Sequence, residues 1–358
     1  MNKNLYVVLM AGGVGTRFWP YSRNAKPKQF LDVLGIGKTL LQSTYERFLP
    51  LCPKENILVV TNEEHKQLTL EQLPELGPGQ LLAEPMRKNT APCIAYACHK
   101  VAKEDPDAIL VISPADHLIM DVEEFRNTIR ASVEHAKSQD KLITLGIKPT
   151  RPETGYGYIQ YLEGKSPLKK VKTFTEKPEL SLAKKFVESG DFVWNAGVFI
   201  WGVKAFFKSF STYLPEMAEI FEELSPKLNT PEEKSAVETA YAQCKSISID
   251  YGMMEKAGNV YVWLCTFVWS DLGSWGSLHD NSAKDKNNNV VSGQALVYDT
   301  RNSVIKGPPG KLIVVQGLNG YLVGVFENVV IVCEKEKEEL FRRVVNDLKE
   351  KPNGAEFL

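Results

Sequence analysis

A glycine-rich segment near the N-terminus contains side chains that could bind a polyphosphate. Residues 11–17 read Ala-Gly-Gly-Val-Gly-Thr-Arg, and Lys28 follows in a Lys-Pro-Lys string. Glycines let the backbone approach an anion closely and expose successive N–H groups to it. Arg17 and Lys28 could converge on the same phosphates. The segment therefore indicates an anion site, although a tight strand-to-helix turn with solvated charges would contain the same residues.

Two familiar phosphate-binding loops do not match this segment. A Walker A loop requires Gly-Lys-Ser/Thr, and here Thr16 is followed by Arg17. The dinucleotide-binding fingerprint requires a third glycine after Gly13 and Gly15, and Phe18 occupies that place. A dinucleotide-dependent oxidoreductase is therefore excluded as a serious candidate.

Two aspartates follow strand-like runs and could hold a metal ion. Asp116 comes after the apolar run Ala108–Ser113, and Asp271 comes after Leu264–Val268. The carboxyl end of a central strand is a suitable place for a carboxylate that holds magnesium against phosphates. The local sequence leaves open that Asp116 is only a turn or capping residue, and that His117 either orients Asp116 or simply packs.

The string that begins at Glu84 offers groups suited to a base and a ribose. It reads Glu-Pro-Met-Arg-Lys-Asn-Thr-Ala-Pro and opens a predicted helix, Thr90–Lys103. Guanine carries N1–H and N2–H donors, so an acceptor such as Glu84 could select it. The alternative is that Asn89 or Thr90 only caps the helix.

Taken together, these motifs resemble those of the sugar-nucleotidyltransferases, the enzymes that make activated sugars. The stretch from Gly12 to Lys28 is similar to the family signature. The Lys-Asn-Thr-Ala-Pro string and the Trp-Asn-Ala-Gly-Val-Phe-Ile-Trp string resemble the members that use mannose 1-phosphate and GTP. The resemblance covers about residues 5–285 in the family's motif order, and the β-rich tail more loosely.

The resemblance implies an enzyme that joins GTP and mannose 1-phosphate into GDP-mannose with Mg2+ and releases pyrophosphate. It assigns the phosphates of GTP to Arg17, the reacting centre to Lys28, and magnesium to Asp116 and Asp271. The nucleotide-binding candidates are Ala11, Gly12, Gly13, Gly15, Thr16, Arg17, Lys28, Glu84 and Asn89. The sugar-phosphate candidates are Gly155, Tyr156, Glu176, Lys177 and Asn195.

Within the sugar site, the resemblance makes Glu176 and Asn195 bind hydroxyl groups and Lys177 neutralise the sugar phosphate. A further string, Ser248–Lys256, also resembles a family segment. It leaves open whether Asp250 lines the sugar pocket or caps a helix. A glucose 1-phosphate transferase that uses UTP or dTTP, and a non-catalytic protein that senses GDP-mannose, remain the competing functions.

The bulk composition limits the partners of the chain. The 358 residues carry a formal net charge of -1, so no general attraction to nucleic acid or to an anionic membrane is indicated. No apolar run reaches the length of a membrane span or a signal-peptide core. The six cysteines form no C-x-x-C pair, which predicts free buried thiols in a reducing cytoplasm rather than a zinc site.

Short aliphatic runs alternate with helical patterns in the first half, which predicts an α/β fold with a Rossmann-like, mostly parallel mixed sheet flanked by helices. The resemblance implies the glycosyltransferase-A-like version of it. From 290 to 333 only short strands follow one another, as in a small all-β, β-helix-like or sandwich module, and Lys335–Lys349 is an amphipathic terminal helix. We expect a catalytic domain at 1–286, a β-rich domain at 287–358, and a homodimer.

Overall fold

The structure, a computed structural model, describes residues 2–137 and 140–358. Its contacts divide the chain into two compact units. Unit 1 consists of Met1–Gly12, Thr44–Ala115 and Ile119–Trp269, and unit 2 consists of Gly13–Ser43, Asp116–Leu118 and Ser270–Leu358. The sequence predicts one domain boundary near residue 286, and this division into 1–286 and 287–358 stays a prediction.

The helices alternate with strands in unit 1 and are few in unit 2. In chain order they are α1 (Leu40–Phe48), α2 (Lys66–Gln72), α3 (Thr90–Glu104), α4 (Val122–Ala136), α5 (Leu180–Ser189), α6 (Val203–Tyr213), α7 (Pro215–Leu224), α8 (Glu233–Gln243), α9 (Trp275–Asp280) and α10 (Glu338–Glu350). None of the described helices combines the length and apolarity that crossing a membrane requires.

The strands of the first part of the chain are β1 (Leu5–Met10), β2 (Ile57–Asn62), β3 (Leu81–Glu84), β4 (Ile109–Pro114), β5 (Leu118–Ile119), β6 (Leu142–Ile147), β7 (Tyr158–Tyr161), β8 (Leu168–Thr175), β9 (Phe192–Gly202), β10 (Val260–Cys265) and β11 (Trp269–Ser270). Those that follow are β12 (Val290–Ser292), β13 (Gln294–Tyr298), β14 (Val304–Lys306), β15 (Leu312–Gln316), β16 (Tyr321–Val325) and β17 (Val330–Glu334). The predicted run Ala108–Ser113 thus forms β4 within one residue of its bounds, whereas the run Leu264–Val268 falls mostly between β10 and β11.

Unit 1 is built on one mixed sheet with the strand order β3-β2-β1-β4-β9-β6-β10-β8-β7. The first four strands in this order are parallel to one another, as the alternation of strands and helices predicts. Strands β1, β2 and β4 are almost wholly buried, which explains their continuous runs of Val, Ile and Leu. The mixed α/β architecture is therefore confirmed.

The Rossmann-like, mostly parallel prediction is wrong for the other half of the sheet. Strand β7 pairs with β8 and also with β9, so β9, β6, β10, β8 and β7 close on themselves as a five-stranded barrel. Strand β9 is antiparallel to β4 and β6, and β8 is antiparallel to β7 and β10. The short connection between β7 and β8 permits only an antiparallel pair, because a parallel pair needs a long crossover.

A large apolar cluster fills unit 1 on the faces of the sheet. Helix α3 contributes a continuous run of buried residues, Ala91–Val101, and packs with α7 and α8 around Phe221 and Tyr241. Helix α7 begins at Pro215, shortly after α6 ends at Tyr213. All six cysteines are free, and all but Cys265 are buried.

Unit 2 contains the β-rich C-terminal region. Strand β12 pairs in parallel with β14, β14 with β16, and β13 with β15. Strand β17 then closes this sheet in antiparallel pairing with β16. No helix interrupts residues 290–333, as predicted. Helix α10 follows and buries Phe341 and Val345 against the same apolar cluster as Trp275.

Candidate active site

The glycine loop of unit 2 makes a tight turn between Gly13 and a short 3-10 turn, Thr16–Phe18. Gly15 has φ 67° and ψ 42°, a left-handed conformation that few residues other than glycine adopt without strain. A Cβ at Gly15 would also lie 2.8 Å from the Cβ of Lys28. The glycine therefore lets the loop pass directly over the base of the Lys28 side chain.

Two side chains hold the loop from the segment that follows it. Gln29 Nε2 donates a hydrogen bond to the carbonyl oxygen of Gly13 over 3.0 Å, and Ser22 Oγ donates one to Val14 over 2.5 Å. Both partners are backbone acceptors, so these bonds fix the path of the loop and not merely a side chain. The sequence prediction included neither Ser22 nor Gln29.

Lys28 is the centre of the charged cluster in unit 2. It is only 4% exposed, and its Nζ lies 2.7 Å from Oδ2 of Asp116. The same Nζ donates to the carbonyl oxygen of Asp271 over 2.5 Å. Burial alone would raise the pKa of Asp116, but the Lys28 ammonium, His117 and hydrogen bonds together outweigh it and hold that pKa below its usual value.

Asp271 is held by a second cation and by its own turn. Arg17 Nη2 lies 3.3 Å from Asp271 Oδ2, and the backbone N–H of Gly273 donates to Oδ1 over 2.8 Å. A Cβ at Gly273 would lie 2.2 Å from Oδ2 and 2.8 Å from Arg17 Nη2. The predicted cations and carboxylates therefore meet in one cluster, and Gly273 is a required member that the sequence prediction missed.

The carboxylates of this cluster suit a divalent cation that keeps open coordination positions. Magnesium is usually bound by one or two carboxylates together with substrate phosphates, not by a complete protein cage. Asp116 and Asp271 provide two such carboxylates, and His117 lies 3.8 Å from Asp116 Oδ1. In the part of the chain that the structure describes, no group of three or more His, Cys, Asp or Glu side chains could hold a metal.

A second cluster, in unit 1, contains the predicted sugar residues. Glu176 is 9% exposed, its Oε1 accepts a hydrogen bond from Lys177 Nζ, and its backbone N–H donates to Glu255 Oε1 over 2.8 Å. Burial lowers the pKa of Lys177, but Glu176, with smaller effects of Asp250 and Tyr251, outweighs burial, so the pKa is raised. Lys177 also has φ 48°, an uncommon conformation that is found more often at functional sites.

Asn195 is fixed by hydrogen bonds at both ends of its amide. Its Oδ1 accepts from Thr144 Oγ1 over 2.8 Å and from the Gly197 N–H over 3.2 Å. Its Nδ2 donates to Asp250 Oδ1 over 2.9 Å. The oxygen of Asn195 is thus occupied by the protein, and the group that remains for a ligand is an N–H donor.

Gly157 makes room for this cluster. A Cβ at this position would lie 2.4 Å from Glu176 Oε2 and 3.3 Å from the Cβ of Asn195. The neighbouring Tyr156 has its ring centroid 5.1 Å from those of Trp194 and Trp269, which gives the cluster an aromatic side. Aromatic faces of this kind commonly pack against sugar C–H groups.

A third group of residues, also in unit 1, surrounds Glu84 at the end of β3. Tyr241 donates its hydroxyl hydrogen to Glu84 Oε1 over 3.1 Å, and a Cβ at Gly12 would lie 3.2 Å from Oε2. Glu84 is 5% exposed, and burial raises its pKa to about 7 against the opposing effects of Tyr241 and Arg87. Neither the hydrogen bond from Tyr241 to Glu84 nor the closeness of Gly12 to Glu84 was visible in the sequence.

Asn89 has the capping role that the sequence left open. It precedes α3 with φ 69°, and its Oδ1 accepts a hydrogen bond from the Thr90 N–H over 2.9 Å. The hydroxyl of Thr90 accepts from the backbone N–H of Ile249 over 2.9 Å. Any additional role of Asn89 toward a ribose stays a prediction.

Known proteins share this chain's sequence and fold over nearly its whole length. The Xanthan biosynthesis protein XanB of Xanthomonas campestris is 35% identical over 345 residues, which are 96% of this chain and 73% of that protein. A mannose-1-phosphate guanylyltransferase of Salmonella muenchen is 35% identical over 352 residues, covering 96% of this chain and 73% of that protein. The crystal structure of a mannose-1-phosphate geranyltransferase from Thermus thermophilus matches with a TM-score of 0.87 and 34% identity, over 97% of this chain and 99% of that chain.

The family itself follows from a model that covers most of the chain. The model described as nucleotidyl transferase matches residues 6–288. This range includes the glycine loop, both carboxylates of the cluster in unit 2, and the sugar and Glu84 groups of unit 1. The chain is an enzyme of the nucleotidyl transferase family.

Proposed function

We propose that this chain transfers the guanylyl group of GTP to mannose 1-phosphate, which forms GDP-mannose and releases pyrophosphate. One observation carries the proposal. Arg17, Lys28, Asp116 and Asp271 are far apart in sequence, yet they form one charged cluster in unit 2. The mannose-1-phosphate guanylyltransferase of Salmonella muenchen supports the choice of substrates.

The proposed reaction needs positioning and charge more than a nucleophilic side chain. A phosphate oxygen of mannose 1-phosphate attacks the α-phosphorus of GTP. The bond from that phosphorus to the oxygen bridging to the β-phosphate breaks, and pyrophosphate leaves in line with its electron pair. Both substrates are highly anionic, so their repulsion is the main obstacle. Arg17 and Lys28 offset it on the side of the triphosphate, and Lys177 offsets it on the side of the sugar phosphate.

Nucleotidyltransferases generally use a divalent metal, and we propose Mg2+ on Asp116 and Asp271. The two carboxylates fit that ion, because it takes few protein ligands and completes its coordination with phosphate oxygens. When bound, the ion supplies positive charge against the phosphates. Lys28 Nζ contacts Asp116 and the backbone of Asp271, so it keeps the two acidic segments together.

Sugar binding is proposed for the cluster around Glu176. The Glu176 carboxylate accepts hydrogen bonds from hydroxyl groups, and Asn195 donates through its remaining N–H. Gly155 and Tyr156 provide a backbone contact and an aromatic side. Lys177 stands beside Glu176, where it can meet the phosphate of the same sugar.

Base binding is proposed for Glu84, and phosphate binding for the glycine loop. In its ionised form, which exists above about pH 7, the Glu84 carboxylate accepts from the N1–H and N2–H donors of guanine, and Asn89 is the candidate for the ribose. The loop residues Ala11, Gly12, Gly13, Gly15 and Thr16 bind the nucleotide through their backbones. Adenine and uracil present different edges, so the carboxylate would favour GTP over ATP and UTP.

We also propose a short β-helix for the C-terminal strands and a homodimer for the assembly. Parallel ladders between β12, β14 and β16, and between β13 and β15, support a short β-helix. Its outer surface exposes Leu296, Leu312 and Val314, which supports a homodimer through this region. The six free cysteines support a reducing cytoplasmic location.

The test is pyrophosphate release with a panel of substrate pairs. Mannose 1-phosphate and Mg2+ are combined with GTP, ATP, UTP or dTTP, and glucose 1-phosphate is then combined with each nucleotide. Release only from GTP and mannose 1-phosphate is the expected result. Preferred release from glucose 1-phosphate with UTP or dTTP would replace the proposed specificity. No pyrophosphate release from any pair, together with tight binding of GDP-mannose, would identify a sensor instead of an enzyme.

A further inference from the structure

Asp250 has no role in the reaction as described, although it contacts the sugar cluster. It begins a π-helical turn, Asp250–Met254, and such turns are rare and frequently lie at functional sites. Its Oδ1 accepts the hydrogen bond from Asn195 Nδ2. Because Asn195 is itself locked by Thr144, the position of the Asp250 carboxyl is fixed from the buried side.

The neighbouring Glu176 carboxylate has one oxygen that its own surroundings do not satisfy. Oε1 accepts from Lys177, whereas Oε2 is buried and has no hydrogen-bond partner among the described residues. Buried carboxylate oxygens are nearly always hydrogen-bonded, so an unsatisfied one points to a ligand. Oε2 lies 2.4 Å from the place where a Cβ of Gly157 would be, so it faces the space that this glycine keeps open.

The charges around Asp250 favour its neutral form. Burial and the Glu176 carboxylate raise its pKa to about 7, against the effects of Lys177 and the hydrogen bond from Asn195. Two further titratable groups near it are Tyr251, in the same turn, and Glu255, which directly follows the turn. Lys177 pairs directly with Glu176, so it is Asp250 that retains a proton near neutral pH.

We propose that Asp250 is a further sugar-binding residue, which donates a hydrogen bond from its protonated carboxyl to a sugar hydroxyl that in turn donates to Glu176 Oε2. A hydroxyl group both donates and accepts, so an acid and a carboxylate side by side are complementary to it. The inference rests on the proposed function, because it takes a sugar 1-phosphate as the substrate.

This arrangement makes sugar binding depend on pH. Above about pH 7, Asp250 loses its proton. The hydroxyl group then faces two carboxylates and no acid, and the KM for the sugar phosphate rises. Lys177 keeps its charge because its pKa is raised, and the sugar phosphate, with a last pKa of about 6, is already mostly ionised at pH 7. The KM for GTP should not follow the same curve.

The experiment compares the wild-type protein with Asp250→Asn, Asp250→Ala and the control Asp191→Asn between pH 6.5 and 9. Asparagine has a permanent N–H donor and keeps an oxygen for Asn195. The wild-type KM for the sugar phosphate should rise by up to about tenfold per pH unit above pH 7. Asp250→Asn should stay within about threefold of the wild type at pH 7 and show no rise.

The other two variants separate binding from a structural effect. Asp250→Ala should raise the KM for the sugar phosphate about tenfold or more at every pH, with little change for GTP. Asp191 accepts from Gln160 and Ser189 near β9, so Asp191→Asn should keep the wild-type pH curve. A wild-type rise that persists in Asp250→Asn, or an Asp250→Ala variant with normal KM, would overturn the inference.

The proposed function fails by a different result. If the wild-type protein turns over no substrate pair, the transfer reaction is wrong, and the same pH series is then measured as calorimetric binding of mannose 1-phosphate and GDP-mannose. The dissociation constants should change with pH, and differ among the variants, as described above for KM. Absence of binding to either compound would overturn the inference together with the proposed function.

Discussion

Lys28 Nζ lies 2.7 Å from Asp116 Oδ2, so a buried ammonium occupies the space beside a carboxylate that we assign to a metal. The same Nζ donates to the backbone of Asp271. The ammonium thus stabilises an acidic cluster that would otherwise repel itself, and it is also the group that can meet an incoming phosphate.

Asp116→Asn should leave the fold intact and reduce turnover by about two orders of magnitude or more, because one of two metal ligands loses its charge. Turnover is measured as pyrophosphate release over a magnesium titration, and the fold by circular dichroism. The matched control is Asp107→Asn, an exposed aspartate paired with Lys204. Near-normal magnesium-dependent turnover in Asp116→Asn would refute the metal assignment.

Lys28→Met should make the thermal stability of the protein more dependent on magnesium. The substitution keeps the buried volume but removes the cation between two acidic segments, so a bound divalent ion has more repulsion to relieve. Melting temperatures are compared with and without magnesium, and the rise should be larger than in the wild type. Lys26→Met, at an exposed lysine of the same string, should behave as the wild type does. An equal rise in both variants would contradict the assignment.

Gly157→Ala should raise the KM for the sugar phosphate and leave the KM for GTP nearly unchanged. The added methyl group would meet Glu176 Oε2 at 2.4 Å, so the carboxylate must move. We expect a rise of about tenfold or more, equivalent to the loss of one charged hydrogen bond. Gly258→Ala is the control, since a Cβ there meets nothing within 4 Å. Equal KM values in the two variants would show that the Glu176 carboxylate does not bind the sugar.

Glu84→Gln should change how stability depends on pH. Burial raises the Glu84 pKa from 4.5 to about 7. Between these values the unfolded chain releases this proton while the folded protein keeps it, so the free energy of unfolding falls as pH rises and levels off above 7. Over this range the free energy of unfolding should fall by about 3 kcal/mol. Glutamine cannot ionise, so the variant should lack this part of the fall.

Urea unfolding at pH 5 and pH 8 measures this effect. Asp250 has a pKa raised in the same direction, so the single variants Glu84→Gln and Asp250→Asn should each remove part of the slope, and the double variant most of it. Glu84→Gln should also weaken the preference for GTP over ATP. A wild-type slope in both single variants would show that neither carboxyl is perturbed in this way.

The sequence predicted well those features that depend on neighbouring residues. The run Ala108–Ser113 forms β4 within one residue of its predicted bounds, and α3 begins at Thr90 as predicted. These elements have strong local signals: continuous aliphatic residues bounded by turn residues, or apolar residues at helical spacing after a capping residue. The run Leu264–Val268 was wrong as a strand, since β10 ends at Cys265 and β11 begins only at Trp269.

Features that depend on distant contacts could not be predicted. Gly157 and Gly273 are required because of Glu176 and Asp271, and only the folded chain reveals what a Cβ would meet. Tyr241 lies on α8, which had no motif that connected it with Glu84. The closing of β7 onto β9 likewise depends on pairing across the chain, whereas hydrophobic patterns specify strands and not their neighbours.

The pairing of β7 with β9 also determines which edge of the unit 1 sheet can pair with a strand of another molecule. An edge strand presents unpaired N–H and C=O groups, which can recruit another chain and begin aggregation. Because β7 pairs on both sides, β3 is the one open edge of this sheet within residues 2–137 and 140–358. This strand is only four residues long. The five-stranded closure thus removes one of the two edges that an open sheet would expose, and leaves the other to a strand too short to serve as a good template.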